Sequence, residues 1–141
     1  MTSRGQILFT RLHTALYRAT GGRVGGRLGS LEQVLLTTTG RTSGQERTVP
    51  LAATRVDDQL LLVASNGGSD GHPAWFLNLR ADPRVTLQTG AVRTPMLARE
   101  ADADERPALW RAVVAANPAY GRYETRTSRV IPVVVCEPVA G

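Results

Sequence analysis

The chain has 141 residues, of which 42% are hydrophobic and 21% are charged, values that predict a soluble globular protein with a buried core and argue against disorder. The net charge is +5 and all 17 basic residues are arginine, which favours an anionic partner. The single cysteine, Cys136, excludes an internal disulfide, and His13 and His72 lack metal-ligand spacing, so we expect no metal site.

The first 29 residues are predicted to form a helix and a connector. Residues 6–19 repeat apolar side chains at spacings of three and four, with arginines largely on the other side, which indicates a basic amphipathic helix. Such a helix can pack on the protein's own core or lie on a membrane surface, and both alternatives stay open. Residues 21–29 include five glycines and indicate a flexible connector or a loop at the entrance to a site.

No apolar stretch approaches the length needed to span a bilayer, and the N-terminal residues lack the pattern of a signal peptide. We therefore expect a cytoplasmic protein whose basic helix offers a contact with the inner face of the membrane. Residues 30–141 are predicted to form the main domain.

Three strands follow the connector. The β-branched and aliphatic run "QVLLTTT" predicts a strand that ends at Gly40, and "RTVPLAATRV" predicts a second strand, in which Pro50 indicates an edge or a bulge. Asp57 and Asp58 are predicted to turn the chain. The nearly all-apolar "QLLLVAS" then predicts a strand that is buried on both faces.

The second half alternates helices and strands. A short helix is expected from near His72, with Pro73 in its first turn, to a point before Pro83. The segments "RVTLQTG" and "VRTPMLAREA" predict a pair of strands, "ERPALWRAVVAANP" a helix, and "VIPVVVCEP" the last strand. Six strands joined largely by tight turns predict a mainly β fold with flanking helices, in which antiparallel strands close into a small barrel.

The turn between the first two strands, "LTTTGRTSGQERT", carries more hydrogen-bond donors than a hairpin needs. Arg41 and Arg47 flank Ser43 and Gly44. We expect positive φ angles at both glycines of this turn, residues 40 and 44, which would direct successive N–H groups into a common hollow. The pattern is typical of an anion site, although a solvated hairpin also explains it.

The segment "VASNGGSDGHPAWFLNLRADP" leaves the third strand through Ala64, Ser65 and Asn66 into two glycines. Glycines at a strand end let the ring edge of a ligand approach the backbone closely, and the N-terminus of the following helix points towards the same loop. Trp75 and its apolar neighbours are explained adequately by core packing, and Asn78 is expected on the opposite side of the helix.

Tyr120 and Tyr123 are three residues apart in "NPAYGRYETRTSR" and project the same way if this turn is helical. Two phenols at a pocket mouth can stack on a planar substrate and donate a proton, or they can be amphipathic rim residues below the last strand. The sequence contains no nucleophile elbow, no paired carboxylates of the glycosidase type and no dinucleotide-binding fingerprint.

Three of these stretches, "LLTTTGRTSGQERTVPL", "VASNGGSDGHPAWFLNLRADPRV" and "TSRVIPVVVCEP", together resemble the deazaflavin-dependent nitroreductase family, an actinobacterial group of oxidoreductases. The resemblance covers about residues 30–138. It implies a six-stranded antiparallel split β-barrel, similar to FMN-binding split barrels. It also implies an F420H2-dependent reductase, in which reduced coenzyme F420 passes a hydride to a quinone or a nitro compound.

The resemblance also implies roles for individual residues. Those that match the coenzyme-binding motifs are Arg41, Thr42, Ser43, Gly44, Arg47, Pro50, Ala64, Ser65, Asn66, Trp75 and Asn78. Those that match the acceptor side, and are candidates for catalysis, are Ser65, Tyr120 and Tyr123. Thr42 and Asn66 stand where a relative carries lysine, and Asn117 stands where a relative carries a pocket tyrosine, so a weaker hold on the anionic tail and a less aromatic acceptor pocket are expected.

Two alternative functions also fit parts of the sequence. The same fold without catalysis would give a binding protein for F420, FMN or a fatty acid. Nucleic-acid binding is supported by the basic charge alone, without a recognisable motif or stacking aromatic residues. We expect no nucleic-acid partner, and the sequence leaves the oligomeric state open.

Overall fold

The computed structural model describes residues 27–28, 31–56 and 59–139. The predicted helix at residues 6–19 and the turn at residues 57–58 lie outside this part of the chain. The strands are β1 Arg27–Leu28, β2 Leu31–Thr39, β3 Glu46–Val56, β4 Gln59–Val63, β5 Arg84–Thr89, β6 Val92–Glu100 and β7 Val133–Pro138. The helices are α1 Ala74–Ala81, α2 Arg106–Ala116 and α3 Ala119–Glu124, with a 3-10 turn at Asn66–Gly68.

Six of the strands close into an antiparallel barrel. They follow the order β2-β3-β4-β7-β6-β5, and β5 pairs back onto β2 through Leu36↔Leu87 and its neighbours. The predicted mainly β fold, a six-stranded antiparallel split barrel with flanking helices, is confirmed. The two-residue strand β1 pairs with the beginning of β2 and falls within the stretch that the glycines had suggested was a connector.

The wall strands β4 and β7 separate two apolar cores. Because side chains alternate across a strand, Leu60 and Leu62 point into the barrel, whereas Leu61 and Val63 contact the cluster formed with α2 and α3. Burial of each such side chain contributes about 1.5–3 kcal/mol. The prediction that this strand is buried on both faces is therefore correct, and it explains the unbroken apolar run.

The helices begin and end close to the predicted positions. Helix α1 begins after Pro73, ends at Ala81, and inserts Phe76 and Leu79 into the core of the barrel. The residues around Tyr120, predicted as a turn, form the short helix α3. Within the described ranges, no helix is long and apolar enough to cross a membrane.

The barrel is open along one half of β3. Residues 46–54 of β3 pair with β2, but only Thr54–Val56 pair with β4. Pro50 lies in the half without a β4 partner, as expected for a proline in an edge position. This unpaired half of β3 forms one side of a groove whose opposite side is built by α1 and the 3-10 turn.

Candidate functional site

The groove contains two neighbouring pockets that share Trp75. The first, called the loop pocket, has a volume of about 560 Å³ and is lined by the β2–β3 turn, β3 and α1. The second, called the turn pocket, has a volume of about 290 Å³ and is lined by β3, the end of β4, the 3-10 turn and α3. An elongated ligand can therefore contact both pockets across the indole ring.

The structure brings most of the predicted site residues to these pockets. Those that line the loop pocket are Arg41, Thr42, Ser43, Arg47, Trp75 and Asn78. Those that line the turn pocket are Ser65, Asn66, Trp75 and Tyr120. The remaining four, Gly44, Pro50, Ala64 and Tyr123, are not among the lining residues of either pocket.

The β2–β3 turn is held by its own hydrogen bonds. The Gly40 N–H donates to the Gln45 carbonyl at 2.7 Å, the Gly44 N–H donates to the Gly40 carbonyl at 2.8 Å, and the Gln45 N–H donates to the Ser43 Oγ at 3.1 Å. Gly44 has a φ of 73°, but Gly40 is outside the positive-φ region. The positive φ expected at Gly40 is therefore wrong, and the N–H groups of Gly40, Gly44 and Gln45 are occupied within the turn.

Gly40 is required for another reason. A Cβ atom at this position would lie 2.7 Å from the Ser43 Oγ and 3.1 Å from the Gln45 carbonyl oxygen. The tight turn therefore depends on the missing side chain. The charged residues that line the loop pocket are Arg41 and Arg47, whose guanidinium groups suit phosphate and carboxylate oxygens.

Asn78 fixes the position of Arg41. Asn78 is 4% exposed; its Oδ1 accepts hydrogen bonds from the Arg41 guanidinium at 2.8 Å and from the Arg41 backbone N–H at 3.2 Å. Its Nδ2 donates to the Thr38 Oγ1 at 3.2 Å. The expectation that Asn78 lies away from Trp75 is wrong, because the two residues are three apart and both line the loop pocket.

The 3-10 turn has an unusual backbone. Asn66, Gly67 and Gly68 follow one another with φ angles of 48°, 66° and 85°. Asparagine is among the few residues with a side chain that adopt this region readily, and the Asn66 Nδ2 donates to the Gly71 carbonyl at 3.1 Å. At the 3-10 turn, the rim of the turn pocket is therefore formed by backbone atoms and not by long side chains.

Gly68 allows the 3-10 turn to pack on α3. A Cβ atom at this position would lie 3.0 Å from the Arg126 Cβ and 3.1 Å from the Tyr123 carbonyl oxygen. At Gly67 nothing lies within 4 Å of the corresponding point. The two glycines are thus required for different reasons. Gly67 is needed only for its positive φ, whereas Gly68 is needed for its positive φ and because neighbouring atoms leave little room for a Cβ atom.

The two tyrosines occupy different environments. Tyr120 is buried and lines the turn pocket, and this burial raises the pKa of its phenol. Tyr123 is half-buried; its ring lies 6.4 Å from that of Tyr120, and the Arg126 guanidinium lies 5.4 Å from its centroid. The Tyr120 phenol interacts with the Asn117 side chain. Since it stays protonated at neutral pH, it is a candidate donor of a proton or a hydrogen bond at the turn pocket.

Arg129 contacts the site but was missed by the sequence reasoning. Its guanidinium donates to the Ala64 and Ser65 carbonyl oxygens at the end of β4. The residue lies in the quoted segment "TSRVIPVVVCEP", yet its partners are 64 and 65 positions away in the chain. Nothing in the local pattern around Arg129 indicates so distant a contact.

This fold and groove define a split β-barrel with a basic pocket at one end of its groove. The F420H(2)-dependent quinone reductase family matches residues 9–138. An F420H(2)-dependent quinone reductase from Mycobacterium tuberculosis is 42% identical over 133 residues, which cover 92% of this chain and 89% of the relative.

Two solved structures are also similar. An F420-H2 dependent reductase (FDR-A) has a TM-score of 0.69 and 42% identity, over 74% of this chain and 93% of that one. A domain-swapped dimer has a TM-score of 0.72 and 36% identity, over 96% and 100% of the two chains.

The chain belongs to the F420H(2)-dependent quinone reductase family. The deazaflavin-dependent family predicted from the sequence is confirmed, and so are reduced F420 as the coenzyme and the F420H2-dependent reductase class of the enzyme. A quinone is the acceptor class named for the family.

Proposed function

We propose that this protein transfers a hydride from reduced F420 to a quinone within the groove. The anionic tail of the coenzyme would occupy the loop pocket, and its ring would lie at the turn pocket. The observation that carries this arrangement is the asymmetry of the groove: both arginines line one end, Ser65 and the neutral phenol of Tyr120 line the other, and Trp75 joins them.

The loop pocket fits a phosphate and a chain of glutamates. The Arg41 guanidinium is held against Asn78, so it loses little side-chain freedom when it binds an anion. Arg47 is exposed on β3 directly opposite Thr38 and can follow a flexible tail. Thr42 and Ser43 add exposed hydroxyl groups to the same rim, where one further cation was expected from the family.

The turn pocket fits the edge of a planar ring. Its rim contains Gly67, beside which there is open space, so a ring can approach the backbone closely. Ser65 is 8% exposed, so its hydroxyl can form a hydrogen bond with little competition from water. The Trp75 indole, shared by both pockets, supplies a flat apolar surface between the anionic and the planar parts of the ligand.

Reduction of a quinone to a quinol needs a hydride, which the coenzyme supplies when bound, and one proton at a quinone oxygen. We assign the donation of that proton to Tyr120, because a phenol is far more acidic than the Ser65 hydroxyl. Ser65 then orients the acceptor by a hydrogen bond. Tyr123 packs beside Tyr120 and limits the movement of its ring.

A binding and turnover experiment tests the function. Titration of the protein with F420, followed by the fluorescence of the coenzyme, should give a dissociation constant on the order of micromolar or lower. Addition of a menaquinone analogue to the complex with reduced coenzyme should then reoxidise the coenzyme. Tighter binding of FMN than of F420, or binding without reoxidation, would contradict the proposal; the latter result would indicate a non-catalytic binding protein.

Substitution of the two arginines tests the location of the tail. Arg41→Met and Arg47→Met should each weaken F420 binding about tenfold, because each removes a charge-assisted hydrogen bond. Arg111→Met, which removes an exposed arginine from α2, should leave the affinity unchanged. Equal effects of all three substitutions would show that only the overall charge matters.

The proposal also includes contact with a quinone-containing membrane through residues 6–19, on the basis of their amphipathic pattern. After sedimentation, anionic phospholipid vesicles should retain the wild-type chain in the pellet. A variant with Arg11→Glu and Arg18→Glu should stay in the supernatant. Equal retention of the two proteins would remove this part of the proposal.

A further inference from the structure

Arg129 bridges the chain segments that build the turn pocket. Its Nη2 lies 3.1 Å from the Ala64 carbonyl oxygen and 3.0 Å from that of Ser65. Its Nε donates to the Ser69 carbonyl oxygen at 2.9 Å, and its Nη1 lies 3.1 Å from the His72 Nδ1. One side chain thus contacts both ends of the 3-10 turn and the residue before Pro73.

These contacts begin where the sheet ends. The β4–β7 pairing stops at Val63↔Val133, and the three left-handed residues follow immediately after Ser65. A backbone with three such residues in a row needs support from outside the segment to keep one conformation. The planar and rigid guanidinium group provides that support, because its five N–H donors are fixed in direction.

His72 extends the bridge to α1. Since a guanidinium group has donors and no acceptor, the Nδ1 of His72 must accept the hydrogen bond, which places the ring proton on Nε2. The same imidazole ring lies 4.9 Å from the ring of Phe76, which is fully buried in the barrel core. The chain from Arg129 through His72 therefore ends on a rigid part of the fold.

We infer that Arg129 is a positioning residue, which acts with His72 to hold residues 64–69 in the conformation that presents Ser65 and Gly67 to the turn pocket. This inference rests on the proposed function, because the aligned ring and acceptor would occupy that pocket. Arg129 lines neither pocket; its effect passes through the backbone that it holds. The arginines of the loop pocket are held by the β2–β3 turn and by Asn78, so we expect them to depend less on this bridge than the turn pocket does.

The first test is Arg129→Met, with Arg111→Met as the control for loss of one arginine. In the protein without coenzyme, hydrogen exchange of the Gly68 and Ser69 amides, which donate to Ser65 and Asn66, should become roughly tenfold faster, as expected for the loss of hydrogen bonds to a charged group. The kcat for quinone reduction should fall about tenfold, and the affinity for F420 should change less. For Arg129→Lys, the exchange rates and kcat should lie between those of the wild type and those of Arg129→Met, since an ammonium group cannot reach all four acceptors.

The second test uses variants of His72, and it can refute the inference even if Arg129→Met does not fold. His72→Asn retains an acceptor near the position of Nδ1, whereas His72→Ala removes it. We expect amide exchange and kcat close to wild type for His72→Asn, and a severalfold change for His72→Ala. Equal behaviour of the two variants would overturn the inference, and so would a folded Arg129→Met protein with unchanged exchange or unchanged kcat.

The outcomes separate this inference from the proposed function. If the wild-type protein fails to bind F420 or to reduce a quinone, the proposed function is wrong, and with it the catalytic part of the inference. The amide exchange of the coenzyme-free variants still measures whether Arg129 holds the 3-10 turn. If the wild-type protein is active and the Arg129 variants match it, the function stands and the inference fails.

Discussion

The two ends of the groove are built by different means. The loop pocket displays exposed side chains on a turn that is stabilised by its own backbone hydrogen bonds, with the buried Asn78 as its main support. The turn pocket displays backbone, which is held in a left-handed conformation by glycines and by Arg129. A flexible anion can be bound by charged side chains at a surface, whereas a planar ring requires a fixed surface, since small errors in alignment slow a reaction strongly.

The largest effect is expected at the 3-10 turn. Gly68→Ala should lower the free energy of unfolding by about 3 kcal/mol, because it combines a left-handed backbone with a clash against Arg126. Gly67→Ala should cost only about 1 kcal/mol, because its Cβ would enter open space. Chemical denaturation of both variants measures the difference, and equal losses would show that the packing of this turn on α3 is unimportant.

Tyr120→Phe separates the chemistry of the turn pocket from its shape. The substitution should lower kcat about a hundredfold, as expected for the loss of a general acid, and leave F420 binding unchanged. Because burial raises the pKa of this phenol, the wild-type protein keeps the proton on Tyr120 through neutral and mildly alkaline pH. Its kcat should therefore not fall from this cause below the ordinary pKa of a tyrosine.

Tyr123→Phe is the matched control for this experiment, because Tyr123 packs beside Tyr120 without lining the pocket. Its kcat should stay within about twofold of wild type. A large loss for Tyr123→Phe together with a small loss for Tyr120→Phe would reverse the assignment of the proton donor.

Asn78→Ala probes the support of the loop pocket. It removes the acceptor for Arg41, so the affinity for F420 should fall about tenfold while kcat at saturating coenzyme changes little. Thr38→Val removes only the contact to Nδ2 and should have a smaller effect on affinity. If Asn78→Ala lowers kcat more than affinity, the two ends of the groove are not independent.

The smallest effect is expected outside the groove. Arg99 pairs with Glu105 and with Glu137, and this contact lowers the pKa of the Glu105 carboxyl below its ordinary value. Glu105→Gln should therefore cost about 1 kcal/mol or less at neutral pH. A lowered pKa gives stability that is present above the ordinary carboxyl value and is lost as the pH falls through the folded one.

The difference in the free energy of unfolding between wild type and Glu105→Gln should consequently shrink as the pH falls below about 4. Thermal unfolding at a series of pH values measures it. Unchanged F420 affinity and kcat in this variant would show that the groove is insulated from the opposite side of the barrel.

The sequence predicted the barrel because its strands carry local signals. The apolar run of β4 arises because the strand packs against a core on each face, and Pro50 indicates that its half of β3 is unpaired on one side. Arg41 and Arg47 were likewise visible as an excess of donors in one turn. Features of this kind are set by neighbours in the chain.

The supports of the site were not predictable in the same way. Asn78 contacts Arg41 from 37 positions away, and Arg129 contacts Ser65 from 64 positions away. The backbone angle of Gly40 also differed from expectation, because the close approach of Ser43, and not a positive φ, requires glycine there. These contacts depend on the closed barrel, because segments so far apart in the chain come together only in the folded protein.

The unpaired half of β3 has a consequence for the behaviour of the protein in concentrated solution. An exposed sheet edge is a template onto which a strand of another molecule can add. A proline within a paired strand is tolerated where its missing N–H faces the unpaired side, so Pro50 removes one donor from this edge. Pro50 therefore makes this edge a poorer template and protects the protein against edge-to-edge aggregation.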